Sequence, residues 1–399
     1  MTHKNMLGMF VHFGPYAKLG IHEQALARLR LDHKEYEEMA LSWNPEKYNP
    51  DEWVALAKAV GMKYITFTAK HHDGFCMWDT TTTDYSIMHT PYGKDVLGML
   101  ADACHRAGMK FSIYYSNPDW HHPDAYNPLS SHQWGAVRTE GGDFEKYKEY
   151  IKAQITELLT NYGEIYSLFW DIPPSIHDPS FNELVRSLQP DIYINDRGFD
   201  KGDFSTPERD MDKIEGGRFS RMTEACNAVG AHSWGYRKNE DYHTVRYLTS
   251  AIDRIMAMGG SYLLNVGPMP DGTIDEKSRE RLLRVGEFYQ RMGGILEENE
   301  GEAYDIVSFT RPVVINHKGD ATYLHYYQGI NQNAVFLTKF PSLPKSVRLV
   351  NSDTPLPFEV DFLPECRGEQ VYFEGEHLRI YDIDADALVG EPIVIEIKF

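Results

Sequence analysis

Cysteine is scarce in this chain of 399 residues. Only Cys76, Cys104, Cys226 and Cys366 are present, and no two of them are spaced as CxxC. A zinc ribbon, a redox pair or a small disulfide framework needs such spacings, so none of these is expected. Positive charge is also short. Forty Lys and Arg stand against 59 Asp and Glu, a formal net charge of −19. A chain this acidic repels phosphate backbones and anionic lipid surfaces, which argues against nucleic acid or a membrane as partner. No apolar run is long enough to span a bilayer, and no apolar signal segment precedes the first strand-like segment. As written, the chain is expected in the cytoplasm; a periplasmic or secreted location follows instead if a leader has been removed.

What is present is ordinary globular material. Hydrophobic residues make up 42% and charged residues 25%, which excludes a disordered chain. The length suits a large catalytic domain with a smaller one. There are 25 Tyr and 7 Trp. Sugar sites use aromatic faces, but cores do too, so this surplus decides little.

The first three hundred residues alternate strand-like and helix-like segments. Gly8 to Gly14, Tyr64 to Lys70, Lys110 to Ser116, Ile165 to Asp171, Asp191 to Asp196 and Ser261 to Val266 are short runs rich in β-branched and aromatic residues, and read as strands. Helices are predicted over Pro50 to Gly61, Val96 to Gly108, Phe144 to Gly163, Phe181 to Leu188, Thr244 to Met258 and Glu276 to Met292, from apolar spacing near 3.6 and terminal glycines. Repeated strand–helix units with runs this apolar predict a parallel sheet covered by helices, in the number a (β/α)8 barrel needs. An open doubly wound sheet would carry a Gly-rich phosphate turn after its first strand, and His12-Phe13-Gly14-Pro15-Tyr16 is not one. From about Tyr304 the texture changes to short alternating segments broken by Gly, Asn, Pro and Asp, which predicts a small all-β sandwich. The expected division is a barrel over 1–303 and a sandwich over 304–399.

In a barrel, chemistry sits at the C-terminal ends of the strands. The strands here end in His12, in Lys70-His71-His72-Asp73, in Tyr114-Tyr115-Ser116 followed by Asp119-Trp120-His121, in Trp170-Asp171, in Asn195-Asp196-Arg197, near Thr223-Glu224, and at Asn265; Ser233-Trp234-Gly235-Tyr236 precedes the last of these. Each has a structural role open to it when taken alone. A histidine at a strand end is commonly a hydrogen-bonded structural group, an aspartate a helix cap or turn residue, a tryptophan core. Their recurrence at one end of successive strands is what independent structural roles do not produce. A metal centre is the first alternative. Adjacent residues on a strand point to opposite faces, however, so His71-His72 is not expected to place both rings on one ion. Val11-His12-Phe13 also lacks the His-x-His of metal-dependent barrel hydrolases. Neutral His, Tyr and Arg around a carboxylate suit the hydroxyls of a polyol instead.

Here the strings resemble a known family, the retaining α-L-fucosidases of glycoside hydrolase family 29. Met9-Phe10-Val11-His12-Phe13-Gly14-Pro15-Tyr16 is similar to the family's opening strand, which usually has Trp at the position of Phe13. Thr68-Ala69-Lys70-His71-His72-Asp73-Gly74-Phe75 with Trp78 resembles its most recognisable motif. Tyr114-Tyr115-Ser116 with Asp119-Trp120, Asn195-Asp196-Arg197, Ser233-Trp234-Gly235-Tyr236 and Leu263-Leu264-Asn265-Val266-Gly267-Pro268 with Asp271-Gly272 follow in order. The likeness runs from about Gly8 to Tyr304. It implies that Asp171 is the nucleophile. It implies that His12, His71, His72 and Tyr114 hold sugar hydroxyls, with Trp170 and Arg197 nearby. Phe10 and Trp234 would receive the methyl group of a 6-deoxy sugar, and Glu23, in a divergent loop, would touch the sugar. A retaining enzyme needs a second carboxyl roughly 5 Å away to protonate the leaving oxygen. Glu208 is the first candidate and Glu224 the second. No cofactor or metal is implied. The implied partner is a fucosylated glycan or glycoside, and a homo-oligomer is left open. Competing readings are a retaining hydrolase of a related sugar such as an α-L-galactoside, an inactive carbohydrate-binding homologue, and a metal hydrolase. Linkage preference is expected to lie in the loops Asn117 to Gly142 and Gly198 to Arg221.

Overall fold

The computed structural model describes residues 5–209, 214, 217–301, 303–361 and 376–399. Cys366 and part of the Gly198–Arg221 loop lie outside the described residues. In chain order the elements of the first part are β1 (Leu7–Val11), α1 (Ala25–Arg28), α2 (His33–Leu41), α3 (Pro50–Val60), β2 (Tyr64–Lys70), α4 (Val96–Arg106), β3 (Lys110–Ser116), α5 (Phe144–Asn161), β4 (Ser167–Asp171), α6 (Ser180–Leu188), β5 (Tyr193–Ile194), β6 (Glu224–Ala228), α7 (Val245–Ala257), β7 (Ser261–Val266) and α8 (Glu276–Glu297). Local chemistry sets the helix starts. Asn49, Asp95, Asp143, Thr244 and Asp275 each accept a backbone N–H of the first turn. Gly61, at φ +95°, ends α3 in the left-handed region where a side chain is costly.

The seven strands form one sheet in the order β5-β4-β3-β2-β1-β7-β6, with every pair parallel. The ring is closed by an irregular extended segment, 203–209. On one side it pairs with the end of β5, through Asp203 N to Ile194 O and Asp196 N to Phe204 O. On the other it pairs with β6, through Glu224 N to Ser205 O, Cys226 N to Pro207 O and Arg209 N to Cys226 O. This is a (β/α)8-like barrel in which one position is filled by non-regular backbone. β1, β2 and β7 are buried at every residue, because one face lines the lumen and the other lies under helices. Alternate residues divide between two cores. Leu7, Met9 and Val11 join the helix-side core, whereas Met6, Phe10, Tyr64, Tyr114, Phe169, Cys226 and Leu263 fill the lumen. Gly8 is required where the chain passes the Tyr64 ring, since a Cβ there would lie 2.3 Å from it.

The remaining strands are β8 (Val307–Ser308), β9 (Val314–Lys318), β10 (Ala321–Tyr326), β11 (Val335–Thr338), β12 (Ser346–Leu349), β13 (Thr354–Pro355), β14 (Phe358–Asp361), β15 (His377–Ile380) and β16 (Ile393–Lys398). They form two antiparallel sheets, β13-β12-β16-β10-β9 and β14-β15-β11-β8, around their own apolar core of Leu324, Val335, Leu337, Leu378, Ile380, Ile395 and Ile397. The sandwich rests on α7, where fully buried His325 of β10 and Asp253 pair at 2.8 Å.

Candidate active site

Asp171 ends β4, and its neighbours on either side end in the same plane. Tyr114 and Ser116 come from β3, and Arg197 follows β5. Tyr114, Asp171 and Arg197, with His12, His71, His72, Phe10, Gln24, His132, Phe169, Ile172, Glu208, Cys226 and Trp234, surround a cavity of about 100 Å³. Its floor is the aromatic filling of the lumen, so it is closed at one end.

Both oxygens of Asp171 are held. Tyr114 Oη donates to Oδ2 at 2.6 Å, and Arg197 donates to Oδ1 at 2.9 Å. Burial pushes this carboxyl up, but the Arg197 charge, His72 and the two hydrogen bonds outweigh it, so it lies below the ordinary aspartate range. It is therefore an anion at any working pH. The same Arg197 nitrogen donates to Glu208 Oε2 at 2.9 Å. Two bonds from one nitrogen cap the separation of the two carboxylate oxygens at about 5.8 Å. Retaining glycosidases keep their carboxyls about 5–5.5 Å apart, whereas inverting ones leave room for a water at about 6.5 Å or more. Asp171 is 12% exposed and Glu208 38% exposed at the side chain, so Glu208 stands on the solvent side of the pair.

The histidines are fixed as neutral acceptors. Asn265 Nδ2 donates to Trp234 O at 2.7 Å, which turns its Oδ1 toward His12 Nδ1, 2.7 Å away. His12 must then carry its proton on Nδ1, leaving a lone pair on Nε2. Ser116 Oγ donates to Pro118 O at 2.6 Å and so accepts from His72 Nδ1 at 2.7 Å, which puts His72 in the same tautomer. Burial lowers both pKa values to about 4 and holds His71 well below the ordinary imidazole range. Ligand hydroxyls therefore donate to these rings and Arg197 donates to the ligand or to the carboxylates.

Neutral histidines make stability depend on pH. Each binds no proton in the folded state between pH 6.5 and about 4, whereas the unfolded chain does. Their contribution is complete above pH 6.5 and is lost as pH falls toward 4, with a slope of up to about 1.4 kcal/mol per pH unit each. Asp73 and Glu224, raised by burial to about 7, act with the opposite sign over the same window. The measurement is thus a comparison. Denaturant unfolding of His12→Gln is expected to show a stability less favoured by rising pH between 4.5 and 6.5 than wild type. Parallel curves for the two proteins refute the assignment.

Backbone geometry braces the site. Asn117 Nδ2 shares its hydrogens among the carbonyls of Asp171, Ile172 and Arg197 at 3.0–3.1 Å. Ile172 has φ +59°, a conformation that β-branched residues rarely adopt, directly after the carboxylate it helps to aim.

Three assignments expected from sequence are corrected. Glu224 begins β6, and its Oε2 accepts from Tyr64 Oη at 2.5 Å at the N-terminal end of the barrel. Tyr64 itself starts β2, so Glu224 lies at the opposite end of the lumen from Asp171 and is no partner for it, although burial raises its pKa to about 7. Trp170 alternates with Asp171 and faces outward, fully buried against Tyr115, Phe181 and Phe199; Phe169 takes its place in the cavity. Glu23 lies behind the wall. Its Oε2 accepts from Ser233 Oγ, Trp234 N and Gly235 N, which positions Trp234, while Gln24 lines the cavity. The strand argument against two rings from His71-His72 is also corrected: both follow the end of β2, both line the cavity, and their ring centroids are 4.2 Å apart. Among the described residues no three His, Cys, Asp or Glu converge as a metal-binding group.

Sequence reading missed Gln24, His132, Phe169, Ile172 and Cys226 as lining residues. Phe169, two before Asp171 on the same strand, was open to detection by period-two alternation. His132 belongs to an irregular loop with no periodic signal.

Comparison with known proteins adds an independent line. The family model described as Alpha-L-fucosidase matches residues 3–294. Tissue alpha-L-fucosidase of Rattus norvegicus is 26% identical over 322 residues, covering 72% of this chain and 67% of the relative. That of Homo sapiens is 25% identical over 294 residues, covering 69% and 60%. The chain thus spans about three fifths to two thirds of the length of the curated relatives it matches. Among solved structures, alpha-L-fucosidase isoenzyme 1 from Paenibacillus thiaminolyticus superposes with a TM-score of 0.83 at 30% identity, covering 98% of this chain and 96% of that one. The matched residues span the barrel and every strand end that lines the cavity, and on that ground the chain belongs to the alpha-L-fucosidase family.

Proposed function

We propose that the protein is an exo-acting α-L-fucosidase that releases fucose with retention of configuration. One observation carries this reading: Asp171 and Glu208 are held by a single Arg197 nitrogen, which keeps the two bonded oxygens closer than an inverting reaction requires. In the first step Asp171 attacks the anomeric carbon while Glu208 gives its proton to the departing oxygen. In the second, Glu208 takes a proton from water, which attacks the same carbon and frees Asp171. The closed floor suits a terminal sugar. His12 and His72 accept from ring hydroxyls through Nε2. Phe10 and Trp234, with ring centroids 6.1 Å apart, form an apolar wall with Phe169 that suits a C5 methyl group. The substrate class is a fucosylated glycan or glycoside.

A hydroxymethyl group in place of the methyl would desolvate a hydroxyl against this wall. Expected kcat/KM for an aryl α-L-fucoside therefore exceeds that for the α-L-galactoside by about 10²-fold. Proton NMR of the fresh product should show the α anomer first. A β-first product, or equal turnover of both glycosides, refutes the proposal.

A further inference from the structure

The loop Asn117 to Gly142 begins beside Asp171 and ends before α5, and it carries side chains that the reaction at the anomeric carbon does not use. Leu129, Trp134 and Val137 are 65%, 56% and 44% exposed. The loop is nonetheless braced. Trp120 is fully buried, and its Nε1 donates to His132 O at 2.7 Å. Gly135 lies flat on the Trp120 ring, with no room for a Cβ, and Val137 N donates to Trp120 O at 2.9 Å. Asn127 and Ser130 donate to the carbonyls of Pro174 and Pro173, so the loop is tied to the segment that follows the nucleophile. His132, at φ +62°, is held in the left-handed region by these contacts.

A continuous aromatic path leads outward from the carboxylate. His72 lies 3.8 Å from Asp171, the His132 ring is 5.5 Å from that of His72, and the Trp134 ring is 4.4 Å from that of His132. His132 lines the same cavity as Glu208, and its electrostatic surroundings include Glu208, Asp171 and Arg28. The departing oxygen must lie beside the proton donor, and His132 is on the cavity wall open to whatever is attached to that oxygen.

We propose that Trp134 and His132 form the subsite for the leaving group, and that its occupant is a pyranose ring whose apolar face lies on the Trp134 indole. The inference rests on the hydrolase reading above and deepens it: it names the side chains of this chain that receive the leaving group. A pyranose presents C–H groups on one face and hydroxyls at its edge, which matches an exposed indole next to a polar ring. Bracing the loop removes the ordering cost that a mobile tryptophan would impose on binding.

The test compares two leaving groups. α-L-Fucosyl fluoride departs as fluoride and carries no ring; a fucosylated disaccharide departs as a pyranose. Trp134→Ala is expected to lower kcat/KM about tenfold on the disaccharide and less than twofold on the fluoride, with Trp134→Phe restoring most of the loss. The exposed position predicts unchanged melting temperatures for both variants. Equal losses on the two substrates, or no loss on the disaccharide, overturn the subsite. A patch that serves contact with another protein gives the second of these results. Wild-type protein that leaves fucosyl fluoride intact overturns the hydrolase reading itself, and the subsite with it, so the two failures are told apart.

Discussion

Asp171→Gly is expected to cut turnover of an aryl α-L-fucoside by on the order of 10⁴-fold or more, the scale of losing a nucleophile for which nothing substitutes. The fold should survive. Arg197 retains Glu208, the Thr206 hydroxyl and the Thr206 carbonyl as acceptors, and only the Tyr114 hydroxyl loses its partner. Melting temperature, followed by circular dichroism, should therefore move by only a few degrees, corresponding to about 1 kcal/mol. Added azide makes the assignment stricter. With the carboxylate gone, azide enters from the face opposite the leaving group and forms the C–N bond as the C–O bond breaks, so the product is a β-fucosyl azide. Turnover near the wild-type level, or an α-azide, contradicts the assignment of Asp171.

Glu208→Gly should behave differently, because proton donation matters only when the departing oxygen needs it. An alkyl or sugar leaving group should slow by about 10²- to 10⁴-fold, whereas fucosyl fluoride should still react in the first step and accumulate the covalent intermediate on Asp171. Azide then attacks that intermediate from the side the leaving group vacated, without base assistance, and gives the α-azide. Glu224→Gln serves as the contrast. It lies at the far end of the lumen against Tyr64, so activity should stay within a few fold of wild type. The opposite result, with Glu224 essential and Glu208 dispensable, would require the barrel to be read upside down and would overturn the site as described.

Much of the scaffold behind these residues was legible in the sequence. β2, β3 and β7 were readable to the residue, and β1 to within three, because short apolar runs rich in β-branched and aromatic residues and bounded by turn formers favour buried strands over helices. The closing segment 203–209 was not. It contains Pro207 and small polar residues, and it forms its bonds only because β5 and β6 leave a gap that it fills. That hidden segment obscures its neighbour. In sequence Glu224 looks like a strand end, whereas the strand starts there, and a shift of five residues moves a carboxyl from one rim of the barrel to the other. Trp170 failed for the opposite reason. The strand was correct, and strict alternation from Asp171 already sent it outward. His132 and Gln24 come from irregular backbone whose course depends on contacts far away in sequence, as the packing of Trp120 under Gly135 illustrates.

The barrel seam divides the reaction between two kinds of scaffold. The groups proposed to hold the sugar ring, including Asp171, Tyr114, His12 and His72, stand on or within two residues of ladder strands bonded on both sides, where a shift of backbone would disturb the whole ring. Glu208 stands on the seam, and His132 and Trp134 on a loop. Substitutions, insertions and changes of course are tolerated far better in those places. The two halves of the cleaved bond are thus under different degrees of architectural freedom. On the proposed reading, substitutions on the seam and the loop are expected to change the leaving group accepted before they change the sugar that is held.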